Sequence, residues 1–137
     1  MGDFSTSLKI AAGGLQAQSA RMRVIAENLA NVDSAGKTPE EDPFRRRIPT
    51  FKAVFDREMD AYNVEMGKMV LDTSEFQTRY EPGHPAADEQ GFVKYPNVNT
   101  LIELADMREA QRSYEANLNI IRSSRAMFGQ TLDILRR

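Results

Sequence analysis

The stretch IAENLANVDSAGKTPEEDPFRRR, Ile25 to Arg47, decides the fold. It opens as an amide-rich helix and gives way to Gly, Pro and a burst of charge. Upstream, Phe4, Leu8, Ala11, Leu15, Gln18, Met22, Ile25 and Leu29 recur at alternating spacings of four and three. That is a heptad seam, the period at which a helix meets a partner helix. Gly13-Gly14 is its soft spot and Gln18 its one polar member. Asn31 ends the helix, because Asn tolerates the left-handed conformation that helix termini often need. The loop Asp33-Ser34-Ala35-Gly36 and Lys37-Thr38-Pro39 then breaks the pattern.

The seam resumes near the other end. Leu104, Met107, Gln111, Tyr114, Leu118, Ile121, Arg125, Phe128, Leu132 and Leu135 again alternate three and four. Thr100-Leu101-Ile102-Glu103 reads as a capping box that starts this second helix, with Pro96 before it. Glu103, Asp106, Glu109 and Glu115 lie in its first half; Arg122, Arg125, Arg136 and Arg137 lie in its second, which suits the helix dipole. At about 1.5 Å per residue the helices span roughly 40 and 55 Å. One narrow seam on each needs the other helix, or another molecule, to cover it.

Between them, Val32 to Asn99 holds nine positive and thirteen negative residues, so the chain's acidity resides there. Strands are expected at Phe44 to Phe51, Val64 to Asp72, Phe76 to Tyr80 and Phe92 to Tyr95, with a short helix from Ala53 to Tyr62. Glu81-Pro82-Gly83-His84-Pro85 and Gln90-Gly91 are turns, so the last two strands flank a long loop. The expected fold is α+β: long N- and C-terminal helices pairing as an antiparallel coiled coil, with a small β-rich module inserted between them. The segments are 1–31, an axial helix; 32–99, loop and β-rich module; and 100–137, the second axial helix. The two helices count as one discontinuous helical domain.

Composition narrows the function classes. The 137 residues are 41% hydrophobic and 28% charged, a folded composition, and net charge −2 supplies no global attraction to nucleic acid or anionic lipid. No Cys means no disulfide framework and no thiol chemistry. No membrane-spanning apolar run and no cleavable secretory signal is legible. The seven Met read as filling for cores and helix seams.

ENLANVDS (Glu27 to Ser34), PFRRR (Pro43 to Arg47), YEPGHPAADEQGFVKYPNVN (Tyr80 to Asn99) and SYEAN (Ser113 to Asn117) together resemble the flagellar basal-body rod proteins, and within them the proximal-rod protein C family. The NLAN and YEAN elements are shared more loosely by rod and hook axial proteins. The central block with Pro82, Gly83, His84 and Pro85 points to the one subfamily. The resemblance implies a structural subunit whose terminal helices stack into a hollow drive shaft that crosses the periplasm and transmits torque. It implies export through the flagellar type III apparatus without signal cleavage. The implied partners are copies of itself, other rod proteins and the rod-base adaptor. No cofactor, nucleic acid or small-molecule substrate is implied. The helical seams then become the interface: Leu8, Leu15, Met22, Ile25 and Leu29 on one helix; Leu104, Met107, Tyr114, Leu118, Ile121, Phe128, Leu132 and Leu135 on the other. Isolated amphipathic helices are marginal in water, so the terminal helices are expected to order on assembly.

Other motifs carry blander readings. His84, the only histidine, lacks a second His or Cys nearby and reads as a solvated turn residue, not a metal ligand. Glu40-Glu41-Asp42 and Asp88-Glu89 are solvated loop acids. Arg45-Arg46-Arg47 lies on a strand, where only two can share a face, and reads as solvated or as an inter-subunit salt bridge or wall-facing patch. Asn28, Asn31, Asn117 and Asn119 are either solvent-facing or amides that fix register between subunits. With no nucleophile elbow, phosphate loop or paired-ligand helix, the chain is not expected to be an enzyme. The alternative to an axial subunit is a coiled-coil adaptor or export chaperone.

Overall fold

A computed structural model describes residues 2–136. Arg137, expected to complete the basic end of the last helix, lies outside them. The elements in order are α1 (Gly2–Ala30), β1 (Arg47–Ile48), β2 (Phe51–Asp56), β3 (Ala61–Met66), β4 (Val70–Leu71), β5 (Gln77–Tyr80), β6 (Phe92–Tyr95) and α2 (Thr100–Arg136). Long helices at both ends with small antiparallel ladders between them make the class α+β, as the sequence implied. The ladders are three separate pairs: β1 with β4, β2 with β3, and β5 with β6. The chain divides into two compact units, each drawing on both helices and on the middle segment.

The first unit lies within Met1–Met22, Thr50–Lys68 and Arg108–Arg137. Its strands form a hairpin where the sequence suggested a short helix from Ala53 to Tyr62. The correction has a local cause. Phe51, Ala53 and Phe55 alternate at a period of two, and Asp56 Oδ1 accepts the amides of Glu58 at 2.9 Å and Met59 at 3.4 Å, turning the chain. Asp60 completes the turn with φ 49°, a conformation Asp tolerates and helices lack. The α1 and α2 portions of this unit run antiparallel. Gly14 lies against Asn117, where an added Cβ would come within 2.7 Å of the amide, and seven residues on, Arg21 reaches Glu109 at 3.5 Å. The buried residues here are small: Ala11, Ala17, Ala110 and Ser124.

The second unit lies within Arg23–Pro49 and Met69–Met107. Arg47 pairs with Leu71 and Ile48 with Val70. β5 and β6 pair from Gln77/Tyr95 to Tyr80/Phe92, flanking the Glu81–Gly91 loop as expected. Gly91 closes that loop at φ 86°, and a side chain there would strike the Tyr80 ring at 2.8 Å. Ala86, Val93 and Tyr95 form the buried cluster, with Ala35 and Ala87 packed on it.

Both helix ends in this unit differ from their expected chemistry. Asn31 has no left-handed backbone, Asp60 being the one non-glycine residue with positive φ among the described residues. Instead its amide donates to the Glu27 carbonyl at 2.8 Å and satisfies it directly. α2 is capped by Asn99, whose Oδ1 accepts the amides of Leu101 at 3.0 Å and Ile102 at 3.4 Å. Thr100 is therefore not the cap, and Glu103 is released from the expected capping box.

Candidate assembly interface

Released from capping, Glu103 turns inward and is 1% exposed. A buried carboxylate is costly unless paired, and here two side chains converge on it. Arg46 Nε donates to Glu103 Oε1, while Asn28 Nδ2 approaches Oε2 at 3.4 Å. The same guanidinium reaches Asp72 Oδ2 at 3.3 Å and Asp106 Oδ2 at 3.6 Å. Asn28, equally buried, clamps β1: its Nδ2 donates to the Arg47 carbonyl at 2.8 Å and its Oδ1 accepts the Arg47 amide at 3.0 Å. Asn97 Oδ1 accepts the Arg46 amide at 2.8 Å, and its Nδ2 donates to the carbonyls of Asp72 and Ser74 at 3.0 and 3.1 Å.

These bonds set the electrostatics. Burial opposes charge on Arg46, but the bonds to Glu103 and Asp72 outweigh it and raise the pKa. The backbone amide and hydroxyl of Ser74, and then Arg46, outweigh partial desolvation at Asp72 and hold its carboxyl below the usual value. Every charge in the hub thus has a partner within the chain.

The three arginines of PFRRR consequently divide their work internally. Arg45 donates to the carbonyls of Asp72 and Ser74 at 2.7 and 3.1 Å and stacks 4.1 Å over Phe76. Arg46 is the hub's cation. Arg47 reaches Glu27 at 3.2 Å. Arg45 and Arg46 thus differ from the solvated strand considered from sequence, whereas Arg47 keeps an exposed side chain in an exposed ion pair. The signal available was Glu103 itself, an acid among Leu101, Ile102 and Leu104 whose capping role Asn99 can supply.

His84 is half-buried, not solvated. Its Nδ1 accepts the Ala86 amide at 3.0 Å, its ring lies 6.4 Å from Tyr95, and Pro82, Gly83 and Pro85 form the exposed rim of the turn. Tyr95 donates its hydroxyl to Glu81 Oε2 at 2.8 Å, which raises the phenol pKa. Among the described residues no group of His, Asp and Glu is arranged to hold a metal ion. No helix among them is long and apolar enough to cross a membrane.

The seam residues fall into three classes. Ile25 is buried; Leu8, Leu15, Met22, Leu29, Met107, Tyr114, Leu118 and Ile121 are half-buried. Leu104, Phe128, Leu132 and Leu135 are exposed, Leu135 to 72%. On α2 the fully buried positions are instead Glu103, Ala110 and Ser124, with half-buried Asn117 at the same heptad spacing. The helices approach one another on small and polar residues one position away from the apolar stripe. Asn117 donates to its own helix at Ser113, and Asn119 is exposed.

Two family models match the chain: the flagella basal body rod protein model over residues 8–36, and the flagellar basal body rod FlgEFG protein C-terminal model over residues 89–134. The flagellar basal-body rod protein FlgC of Agrobacterium fabrum is 48% identical over 136 residues, covering 99% of this chain and 98% of its own. The chain belongs to the FlgC family of flagellar basal-body rod proteins. FlgC of Borreliella burgdorferi is 40% identical over 152 residues, covering 98% of this chain, and that of Aquifex aeolicus 36% over 133 residues, covering 97%. As an FlgC family member the chain is a structural subunit of the flagellar basal-body rod, not an enzyme. The two matched stretches contain both sides of the hub, Asn28 in the first and Asn97 and Glu103 in the second.

Proposed function

We propose that the chain polymerises through its terminal helices into the hollow rod that carries motor torque. The observation that carries this reading is the amount of large apolar surface left bare on α2. Phe128, Leu132 and Leu135 occupy one stripe, and Ile120, Met127 and Ile134, each a heptad apart, a second; all are exposed. Each such side chain contributes about 1.5–3 kcal/mol when fully buried. The helices of 1–31 and 100–137 pair as an antiparallel coiled coil and form the axial layer, with 32–99 beside it. Their seams, together with the amides of Asn31 and Asn117, fix the register of the layer, while Asn28 acts within the chain on β1. The neighbours are copies of this chain, other rod proteins and the rod-base adaptor. Delivery is through the type III export apparatus, to a site spanning the periplasm. Leu135→Asp tests the polymerisation step, because the residue is already exposed and the change spares the folded chain. Rod incorporation and motility should be lost while the circular dichroism of the purified chain is unchanged. Normal motility would overturn the reading.

A further inference from the structure

The β2–β3 hairpin is amphipathic in the opposite sense from a hairpin packed on its own core. Its register sets Phe51 opposite Met66, Ala53 opposite Val64 and Phe55 opposite Tyr62. Alternation along each strand sends these six side chains to one face. The other face carries Lys52 opposite Glu65, Val54 opposite Asn63 and Asp56 opposite Ala61. It is this second face that meets α1. A Cβ on Gly13 would strike the Asn63 side-chain oxygen, and Gly13, Gln16 and Ala17 share a cleft with Asn63 and Glu65, which Val64 and half-buried Met66 also border. The apolar face is left bare: Phe51, Phe55, Tyr62 and Val64 are exposed, Tyr62 to 66%. Its rim is acidic at the turn, where Asp56, Glu58 and Asp60 outnumber Arg57; none of them joins an ion pair among the described residues.

The complementary surface lies on α2. Arg125, Phe128, Leu132 and Leu135 follow at spacings of three, four and three, and Arg136 stands one turn beyond Leu132. All five are exposed, and neither arginine joins an ion pair among the described residues. An apolar strip edged with positive charge thus matches an apolar sheet face edged with negative charge. Both belong to the same unit and both are bare, so they do not satisfy one another within one chain.

We infer that the hairpin's apolar face in one copy seats on the Arg125–Arg136 stripe of a neighbouring copy. The inference rests on the polymerising reading above. Because the two surfaces differ, the contact is heterologous, and it repeats from copy to copy without closing a pair, which is the symmetry a shaft needs.

The chain has no cysteine, so introduced thiols report the contact directly. Tyr62→Cys and Leu132→Cys both alter exposed positions. In concentrated full-length protein, oxidation of the doubly substituted chain should give a ladder of cross-linked species. An equimolar mixture of the two single variants should stop at a dimer, and each single variant alone should remain monomeric. Glu58→Lys on the doubly substituted background should lower the cross-link yield about threefold at low ionic strength and have no effect at high salt. Dimers from Tyr62→Cys alone, an unchanged yield with Glu58→Lys, or a link to a different protein would overturn the inference. Basal bodies that assemble from the doubly substituted chain but contain no such link would overturn this contact and leave polymerisation standing. Normal motility of Leu135→Asp removes the polymerising reading itself.

Discussion

Glu103 shows how much of this fold hangs on single polar side chains. Its carboxylate is the common acceptor of Arg46 and Asn28, and removing it leaves a guanidinium inside the unit with a lost partner. Glu103→Ala should cost about 3 kcal/mol, measured as a shift in denaturant midpoint. Asp72 adds a pH dependence. Its folded pKa lies below its unfolded one, so its contribution is complete above the ordinary carboxylate value of 3.8 and is lost as pH falls through the lower folded value. The stability of the wild-type chain should therefore fall in that acid window, and Asp72→Asn should flatten that part of the curve. Gly13 and Gly14, which from sequence look like a weakness in the helix, are adjacent notches. One admits Asn63 of the hairpin and the other Asn117 of α2. Gly14→Ala should therefore destabilise by about 1–3 kcal/mol despite the better helix propensity of Ala. Combining it with Asn117→Ala should recover most of the loss in the same unfolding measurement.

At the scale of elements, legibility followed the strength of local rules. The β6 strand is where its alternating residues placed it, β5 begins one residue later than expected, and the loop between them closes on the expected Gly91. The hairpin was missed because its apolar residues, read without the Asp56 turn, also fit a short helical window. The α2 stripe was legible as a surface that needs covering, but the line along which α2 approaches α1 was not. Hydrophobic period marks what needs covering, whereas close approach within the chain is set by what is small, and the two lines differ by one residue on α2. The cap was misplaced by one position, a difference that can be measured. Asn99→Ala should cost about 1 kcal/mol of stability, while Thr100→Ala should be nearly neutral.

For the whole molecule, the class and the family were legible because four separated motifs agree; the hub that joins three of them was not. Its members are far apart in sequence, and each has an innocent local reading as cap, loop amide or strand charge. Exposure along α2 also makes a prediction about the free chain. Trypsin should cut first at exposed sites, at Arg122, Arg125 and Arg136 on α2 and at Arg57 and Lys68 in the turns of the middle segment, and only later at Arg45 and Arg46, whose side chains are half-buried and bonded. Mass analysis of early fragments checks this; early cuts at Arg45 and Arg46 would contradict the buried hub. One contact has a different kind of consequence. The Asn28 carboxamide holds the peptide group of Arg47 and never its side chain, so it is indifferent to which amino acid stands there. Saturation of position 47 should yield functional variants of nearly every type except proline, which brings no N–H to the clamp. Position 46, one step away, should accept almost nothing but arginine. Sequence drift within this strand would then be permitted and forbidden at adjacent positions, without either being visibly more exposed to selection.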